Sequence, residues 1–314
     1  MCASSIIRTR APGSIMLLGE HAVLRGATAI ACALDKYIRV TLQPQTGREI
    51  RVHSALGEYR ASLDQLPDAA ELAFVVAALR RWRGQLPSGF ELRIEADFAH
   101  TVGLGSSAAV VAAVTVALAR FAGQSTAPEA LFEPALAVIH EVQDGRGSGT
   151  DLAASLFGGL IAYRMRPRRL EPLPGLPPLG LWYVGYKMKT PAVLALVEAQ
   201  RDRYPELYQG LDRLMADCTE RAVSAIRQQD WVALGELINL YQGLMDALGV
   251  CDRKLAALVY RLREGEGVYG SKISGSGLGD CVLTLGHDPA LSAPGEPIPI
   301  AISASGSQLL AESS

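Results

Sequence analysis

Alternation of apolar and polar residues dominates the beginning of the chain and predicts a β-rich start. Five short alternating runs, broken by Pro-Gly, Thr-Gly and Leu-Gly pairs, are predicted as strands: 5–9, 14–18, 37–42, 49–53 and 58–63. The period then lengthens, because Leu72, Val75 and Leu79 recur at helical spacing. This spacing predicts a helix over 68–83 that ends at Gly84.

The middle of the chain mixes short strands with apolar helices. The pattern predicts two strands and two helices here: strand 90–96, a helix from Ser106 or Ser107 to about residue 122, helix 128–142 and strand 159–163. The stretch 166–180 is rich in Pro, Gly and Arg, which is typical of a linker or a long exposed turn. We therefore divide the chain there, into domains of residues 1–170 and 171–314.

Helical patterns dominate the second half after a strand predicted at 181–186. They extend over 191–263 and give way to a strand–loop–strand unit over 268–285. A last strand is expected near 298–302, and the small, polar tail 306–314 is expected to fray. Together the elements predict an α+β protein.

Composition and charge exclude several classes of protein. With 49% apolar and 20% charged residues, the 314-residue chain is not intrinsically disordered. The net charge of −2 gives no basic field for nucleic acid or an anionic membrane. The longest apolar run, 108–119, is shorter than the ~20 residues that span a bilayer. Five scattered cysteines, Cys2 among them, suggest neither zinc nor a disulfide framework. We expect a soluble, cytoplasmic protein.

Two glycine-bearing loops precede apolar helices. The first, GLGSSA at 103–108, suits phosphate binding, because glycines let the backbone approach an anion and a helix N-terminus attracts it. A plain helix cap is the alternative. The second, 144–151, ends in Asp151, which could serve as a general base or could merely cap the helix that it begins.

A third glycine-rich loop lies between two predicted strands. Its sequence, KISGSGLGDC at 272–281, has three alternate glycines that could close on phosphates. A β-hairpin with a flexible turn explains the same pattern.

Three motifs together resemble the GHMP family of small-molecule kinases. PGSIMLLGEHAVL at 12–24 is similar to the family's first motif, GLGSSAA at 103–109 to its phosphate loop and KISGSGLGDC to its third motif. The resemblance implies a two-domain fold, with an N-terminal half like ribosomal protein S5 domain 2 and a ferredoxin-like C-terminal half. ATP and substrate would share the cleft between them.

Within the family, GEHAVL is most similar to mevalonate kinases, which implies ATP-dependent phosphorylation of the 5-hydroxyl of mevalonate in isoprenoid precursor synthesis. The resemblance assigns Asp151 to the substrate hydroxyl and Mg²⁺ to Ser107 and Glu141. It assigns the ATP phosphates to the first and third glycine-bearing loops, with these residues: Gly103, Leu104, Gly105, Ser106, Ser107, Ala108, Gly275 and Gly277. It assigns five residues to the acceptor pocket: Ser14, Glu20, His21, Arg146 and Lys189.

Two departures from the family pattern affect these assignments. Ser14 stands where mevalonate kinases usually carry a lysine, so either another cation (Arg146, Lys187 or Lys189) reaches the site, or Asp151 acts with less electrostatic help. The second loop has a Gly-Ser-Gly-x-Asp sequence that is similar to phosphomevalonate kinases.

These departures leave other functions open. Phosphomevalonate kinase, a kinase for a related hydroxy acid and a non-catalytic ATP or ligand sensor are the alternatives. Helix faces between residues 193 and 263 could form a homodimer or belong to the core.

Overall fold

The computed structural model describes residues 5–99, 102–175 and 177–311. It contains two β-sheets, both mostly or wholly antiparallel, with helices packed on them. The strands are β1 (Ile7–Leu18), β2 (Thr28–Pro44), β3 (Glu49–Ser54), β4 (Gly57–Ser62), β5 (Phe90–Ala96), β6 (Leu160–Arg164), β7 (Arg169–Leu173), β8 (Leu179–Lys187), β9 (Gly270–Ser274), β10 (Gly279–Leu285), β11 (Glu296–Pro297) and β12 (Gln308–Leu310). The helices are α1 (Ala73–Trp82), α2 (Ser106–Phe121), α3 (Pro128–Val142), α4 (Thr150–Phe157), α5 (Thr190–Arg203), α6 (Pro205–Gln228), α7 (Trp231–Ala247) and α8 (Arg253–Leu262).

The first sheet has the order β12-β1-β2-β5-β3-β4, with β6 pairing β2 and β7 pairing β6. Only β3 and β5 pair in parallel. Helix α2 packs against β1 and contacts α1, α3 and α4. Its small side chains, such as Ala112 and Ala113, are fully buried and let it lie close to these neighbours. Helix α2 is therefore packed tightly in the hydrophobic core of the N-terminal half. The first residues of α2 lie at the edge of that core.

The second sheet has the order β11-β8-β10-β9 and is antiparallel. Helix α7 packs on β9, and α8 packs on β9 and β10. Close approach requires Gly235 on α7, because a Cβ there would lie 2.3 Å from the carbonyl oxygen of Tyr269. Burial of Leu255, Leu258 and Leu262 on one face explains why α8 forms along this sheet.

The two sheets meet where β1 ends. Ser274 Oγ donates a hydrogen bond of 2.9 Å to the carbonyl oxygen of Met16. The Cys281 thiol lies 3.4 Å from the carbonyl oxygen of Val102. These contacts place the β9–β10 loop beside the loop that precedes α2, and a cleft forms between them.

Several predicted elements are wrong. The stretch 166–180 is not merely a linker, since β7 forms within it and pairs with β6. No strand spans 298–302; β11 forms earlier, and Ile302 makes only an isolated bridge to Leu34. The strand predicted at 37–42 is the second half of the 17-residue β2, whose first half is apolar on both faces and so does not alternate.

The C-terminal tail does not fray at 308–310, because β12 pairs with β1 through Arg8 and Leu310. Residues 312–314, like Cys2, lie outside the described residues. The division at residue 170 stays a prediction; β7 and β12 both belong to the first sheet. Across the described part of the chain, every helix is too short or too polar to cross a bilayer.

Candidate active site

The cleft between the sheets is lined by loops from both halves. Its wall includes the loop before α2, the loop before α4, the β9–β10 loop and the ends of β1 and β8. The lining side chains that could carry chemistry are Glu20, His21, Ser106, Ser107, Gln143, Arg146, Ser148, Asp151, Lys187, Thr190, Ser274, Ser276 and Asp280.

The N-terminus of α2 opens into this cleft. Glycine at the N-cap position, Gly105, has no side chain to cap it, and no other described side chain does so; the first N–H groups of the helix and its dipole therefore face the cleft, where an anion could bind. Gly103 and Gly105 precede it with φ of +60° and +62°, a region that favours glycine. A Cβ on Gly105 would lie 2.1 Å from Ser14 Oγ, so only glycine fits between the loop and β1. This arrangement is a cradle for phosphate oxygens.

Asp151 faces the cradle from the first turn of α4. Gly149, with φ of +81°, occupies the N-cap position, and no side chain caps the helix. The Asp151 carboxylate instead accepts a 2.8 Å hydrogen bond from Ser14 Oγ. The capping alternative for Asp151 is therefore wrong. Burial raises the pKa of Asp151, while the Ser14 hydrogen bond and the charge of Lys187 lower it in part.

A second carboxylate, Asp280 near the start of β10, also lines the cleft. Its Oδ2 is 2.9 Å from Lys187 Nζ, at the end of β8. Asp280 Oδ1 is buried and has no hydrogen-bond partner among the described residues. Burial raises the pKa of Asp280, and Lys187 opposes this shift. Asp280 has a φ of +74°, which is strained for a residue with a side chain.

The GEH segment after β1 is tied to the second sheet. Glu20 Oε1 accepts from the Lys272 ammonium at 2.6 Å and from the Gly275 amide at 3.3 Å. Both members of this ion pair are buried. His21 Nε2 donates to the carbonyl oxygen of Ser276 at 2.9 Å, and burial lowers the pKa of His21, so the ring is neutral near pH 7. Glu20 and His21 thus connect the end of β1 to β9 and the β9–β10 loop beside the cleft.

The structure brings most of the predicted site residues together. Those lining the cleft are Glu20, His21, Gly103, Gly105, Ser106, Ser107, Ala108, Arg146, Asp151 and Gly275. Two others support it from beneath: Ser14 is buried and bonds Asp151, and the buried Leu104 accepts the Ser14 amide through its carbonyl oxygen.

Three predicted residues lie outside the lining. Gly277 packs on Val250, whose carbonyl oxygen would be 2.5 Å from a Cβ there. Lys189 is exposed at the N-cap of α5. Glu141 is exposed near the end of α3, although Gln143 just beyond it does line the cleft.

Sequence reasoning assigned no role to Asp280, and it named Lys187 only as one of three candidate cations. Lys187 is the last residue of β8, and Asp280 lies within the third glycine-rich motif, where the resemblance assigned roles only to Gly275 and Gly277. Only the antiparallel pairing of β8 with β10, which sets Lys187 opposite Gly279, brings the two side chains together.

The structure does not bring the two residues predicted to hold Mg²⁺ together in the cleft. Ser107 lines the cleft, but its proposed partner Glu141 does not. Within residues 5–99, 102–175 and 177–311 there is no group of three His, Cys, Asp or Glu side chains placed to hold a metal ion.

Comparison with known proteins identifies the fold family. Residues 71–159 match the model of the GHMP kinases N-terminal domain, and residues 222–293 match that of the GHMP kinases C-terminal domain. The chain belongs to the GHMP kinase family. The predicted α+β GHMP kinase fold is confirmed, and the protein is an ATP-dependent small-molecule kinase by family.

This GHMP kinase is similar to archaeal proteins named mevalonate kinase. The relative from Aeropyrum pernix is 30% identical over 290 residues, covering 88% of each chain. That from Methanothermobacter thermautotrophicus is 32% identical over 273 residues, covering 87% of this chain and 88% of its own. A solved structure of Leishmania major mevalonate kinase with R-mevalonate superposes with a TM-score of 0.77 at 22% identity, covering 95% and 96% of the two chains. At 22% identity, the likeness to this structure shows a shared fold only.

Proposed function

We propose that this GHMP kinase transfers the γ-phosphoryl group of ATP to the 5-hydroxyl of mevalonate. Two kinds of support agree: the archaeal relatives at about 30% identity are named mevalonate kinase, and the cleft has the parts that phosphoryl transfer needs. The observation that carries the proposal is the meeting of a carboxylate, Asp151, with the uncapped N-terminus of α2 in one cleft. We place the reaction in the cytoplasm, in isoprenoid precursor synthesis.

The reaction needs little covalent chemistry from the protein. The bond between the γ-phosphorus and the β–γ bridging oxygen breaks, and ADP keeps that oxygen with its electron pair. A new bond joins the phosphorus to the acceptor oxygen, whose proton passes to a carboxylate oxygen of Asp151. The products are ADP, the phosphate ester and one proton. The backbone around Gly103 and Gly105 and the start of α2 hold the phosphates during the transfer.

Ser14 sets the orientation of the base. Its hydroxyl hydrogen is donated to Asp151 Oδ1, which fixes the carboxylate plane and leaves the other oxygen for the acceptor proton. The backbone amide of Ser14 is itself held by the carbonyl oxygen of Leu104 at 3.0 Å. Base and phosphate loop are therefore positioned by the same residue.

Mg²⁺ enters this proposal only as the companion of ATP. Mg²⁺ in kinases is usually held by phosphates, water and one or two carboxylates rather than by an all-protein cage. That behaviour agrees with a cleft that has carboxylates but no metal cluster within the described residues.

The proposal is tested by ADP release from the purified protein with MgATP. Mevalonate, phosphomevalonate and mevalonate diphosphate are supplied separately. We expect turnover with mevalonate, reduced by at least ~10²-fold in Asp151→Asn. Asp144→Asn is the matched control, because Asp144 lies exposed in the same loop and outside the cleft lining. ATP binding without turnover of any of the three acceptors would refute the mevalonate assignment and leave a related hydroxy acid as the acceptor, or the sensor alternative.

Phosphomevalonate is the second candidate acceptor, favoured by one observation. Arg146 lines the cleft and also a neighbouring hollow that contains Arg25 and Arg166. Glu198 also lines that hollow and pairs with Arg25, so the positive charge for an acceptor that already carries a phosphate would come from Arg146 and Arg166. Turnover with phosphomevalonate alone, weakened by Arg146→Gln, would transfer the assignment to this acceptor.

The oligomeric state is a proposal as well. Leu207 and Leu214 on α6 and Leu240 on α7 are more than half exposed. A homodimer through these helices stays a prediction, which sedimentation of the purified protein would test.

A further inference from the structure

We propose that Lys187 supplies the ammonium group that contacts the transferred phosphoryl group, and that Asp280 is the positioning residue that aims it. The inference rests on the proposed kinase function of the cleft, but not on the identity of the acceptor. It gives roles to two residues that the sequence did not assign to the ATP phosphates, to the acceptor pocket or to Mg²⁺.

The charges of the cleft point to Lys187. Among the described residues, three carboxylates line it: Glu20, Asp151 and Asp280. The Glu20 charge is compensated by Lys272, which is fully buried and cannot reach a ligand. Only two permanent cations of the described lining remain, Arg146 and Lys187. ATP brings several further negative charges, so the bound state needs a cation near the γ-phosphate.

Lys187 is better placed for that role than its neighbours. It ends β8, directly opposite Gly279, so its side chain enters the cleft beside the phosphate loop. Its side chain is 31% exposed, which leaves the ammonium accessible to a ligand. Burial raises the pKa of Asp151, and the charge of Lys187 opposes part of this rise, so the two groups act on each other within the cleft. Lys189 is exposed and outside the lining, and Arg146 lies on the wall shared with the neighbouring hollow.

Asp280 has the features of an anchor. It holds Lys187 at 2.9 Å through Oδ2, while its Oδ1 is buried and unpartnered within the described part of the chain. A Cβ on Gly103 would lie 1.6 Å from that Oδ1, so the carboxylate is seated against the phosphate loop itself. The backbone is held at φ +74° to put it there. A strained residue with an unsatisfied buried oxygen costs stability, and such costs are typical of functional positions.

The role is electrostatic and adds no covalent step. As the bond between the γ-phosphorus and the bridging oxygen breaks, negative charge grows on the bridging and equatorial oxygens. A fixed ammonium stabilises that charge, and it keeps its proton throughout. Asp280 keeps the ammonium in place before ATP binds, so that little reorganisation is needed during transfer.

The test compares Lys187→Met with Lys254→Met, which changes an exposed lysine on α8 that is not part of the cleft lining. We expect kcat with mevalonate to fall by ~10²-fold or more in Lys187→Met and to change less than about twofold in Lys254→Met. Added ethylamine should restore part of the activity of Lys187→Ala. Unchanged kcat in Lys187→Met, or an equal loss in Lys189→Met, would overturn the proposal.

A binding measurement separates this inference from the choice of acceptor. Calorimetry with the purified protein compares the non-hydrolysable analogue AMPPNP with ADP. Lys187→Met should weaken AMPPNP at least about tenfold while leaving ADP nearly unchanged, because only the first carries a γ-phosphate. Equal weakening of both, or of neither, would overturn the role of Lys187 even if mevalonate proved to be the wrong acceptor.

Asp280 is tested by separating activity from stability. Asp280→Gly removes the carboxylate and suits φ +74°, so thermal stability should stay the same or rise. We expect kcat to fall about tenfold or more nonetheless, and the acidic limb of the pH profile to move, because Lys187 then loses its fixed position near Asp151. Loss of stability together with unchanged kcat would show that Asp280 is only structural.

Discussion

Ser14 and Asp151 are joined by a 2.8 Å hydrogen bond across 137 residues of chain, from Ser14 Oγ to Asp151 Oδ1. Ser14 is fully buried in β1, and Asp151 lies in the first turn of α4. The serine therefore does not take over the charge of the lysine common at this position in mevalonate kinases. It orients the base instead, and the positive charge comes from Lys187 on another strand.

Ser14→Ala should raise the pKa of Asp151. The lost hydrogen bond is one that favours the charged carboxylate, so its removal favours the protonated form. The acidic limb of kcat/KM should consequently move to higher pH, and kcat should fall about tenfold. A pH profile of initial rates measures both.

Ser155→Ala is the matched control for that variant. Ser155 is buried on α4, the helix that carries Asp151, and its hydroxyl has no hydrogen-bond partner among the described residues. Its profile should coincide with that of the wild type. An unshifted acidic limb in Ser14→Ala would contradict the orienting role of Ser14.

The wild-type pH profile should also reflect the burial of Asp151. A base must be deprotonated to act, and burial raises the pKa of Asp151 above the ~3.9 of an exposed aspartate. The activity that depends on the Asp151 carboxylate should therefore be highest above this raised pKa, and it should decline as the pH falls through it. The log of kcat/KM against pH gives the value. A limb at or below pH ~4 would mean that Asp151 is not the group that controls the rate.

Gly105→Ala should abolish most activity. The new Cβ would lie 2.1 Å from Ser14 Oγ at a φ of +62°, which would disturb both the phosphate loop and the orientation of Asp151. We expect losses of ~10²-fold or more in kcat/KM for ATP. Gly123→Ala controls for backbone strain, because it has a similar φ of +68° and nothing within 4 Å of its Cβ. Comparable losses in both variants would show that strain alone, and not the contact with Ser14, is responsible.

Lys272→Met should destabilise the fold by about 3–5 kcal/mol. It leaves the Glu20 carboxylate buried without its partner, at the junction of the two sheets. The double variant Glu20→Gln, Lys272→Met should recover much of this loss, since no buried charge remains. Urea unfolding, monitored by tryptophan fluorescence, compares both variants with the wild type. If the single and double variants were equally destabilised, the ion pair would not be the cause.

Much of this fold and site could be predicted from local patterns. The helical spacing of Leu72, Val75 and Leu79 placed α1, and the glycine-serine sequence at 103–107 placed the start of α2, because both signals depend only on neighbouring residues. Asp151 was found for the same reason, at the end of a glycine-rich loop.

What the sequence could not supply depends on distant pairing. β12 forms only because Gln308–Leu310 meets β1, and β7 forms only against β6. Lys187 and Asp280 meet through the register of β8 and β10, and Ser14 reaches Asp151 through the packing of α4 on β1. Glu141 was assigned to a metal from its place in the chain, whereas the turn of α3 leaves it exposed.

The most direct test of the proposed reaction is the identity of its product. Phosphorus NMR of a mixture of the protein, MgATP and mevalonate should show a phosphomonoester signal that grows with ADP. It should be split by the methylene protons at C5, as a 5-phosphate requires, and it should be absent with Asp151→Asn. An unsplit ester signal would place the phosphate on the tertiary hydroxyl, and ADP with only inorganic phosphate would show that mevalonate is not the acceptor. Either result would contradict the proposed function.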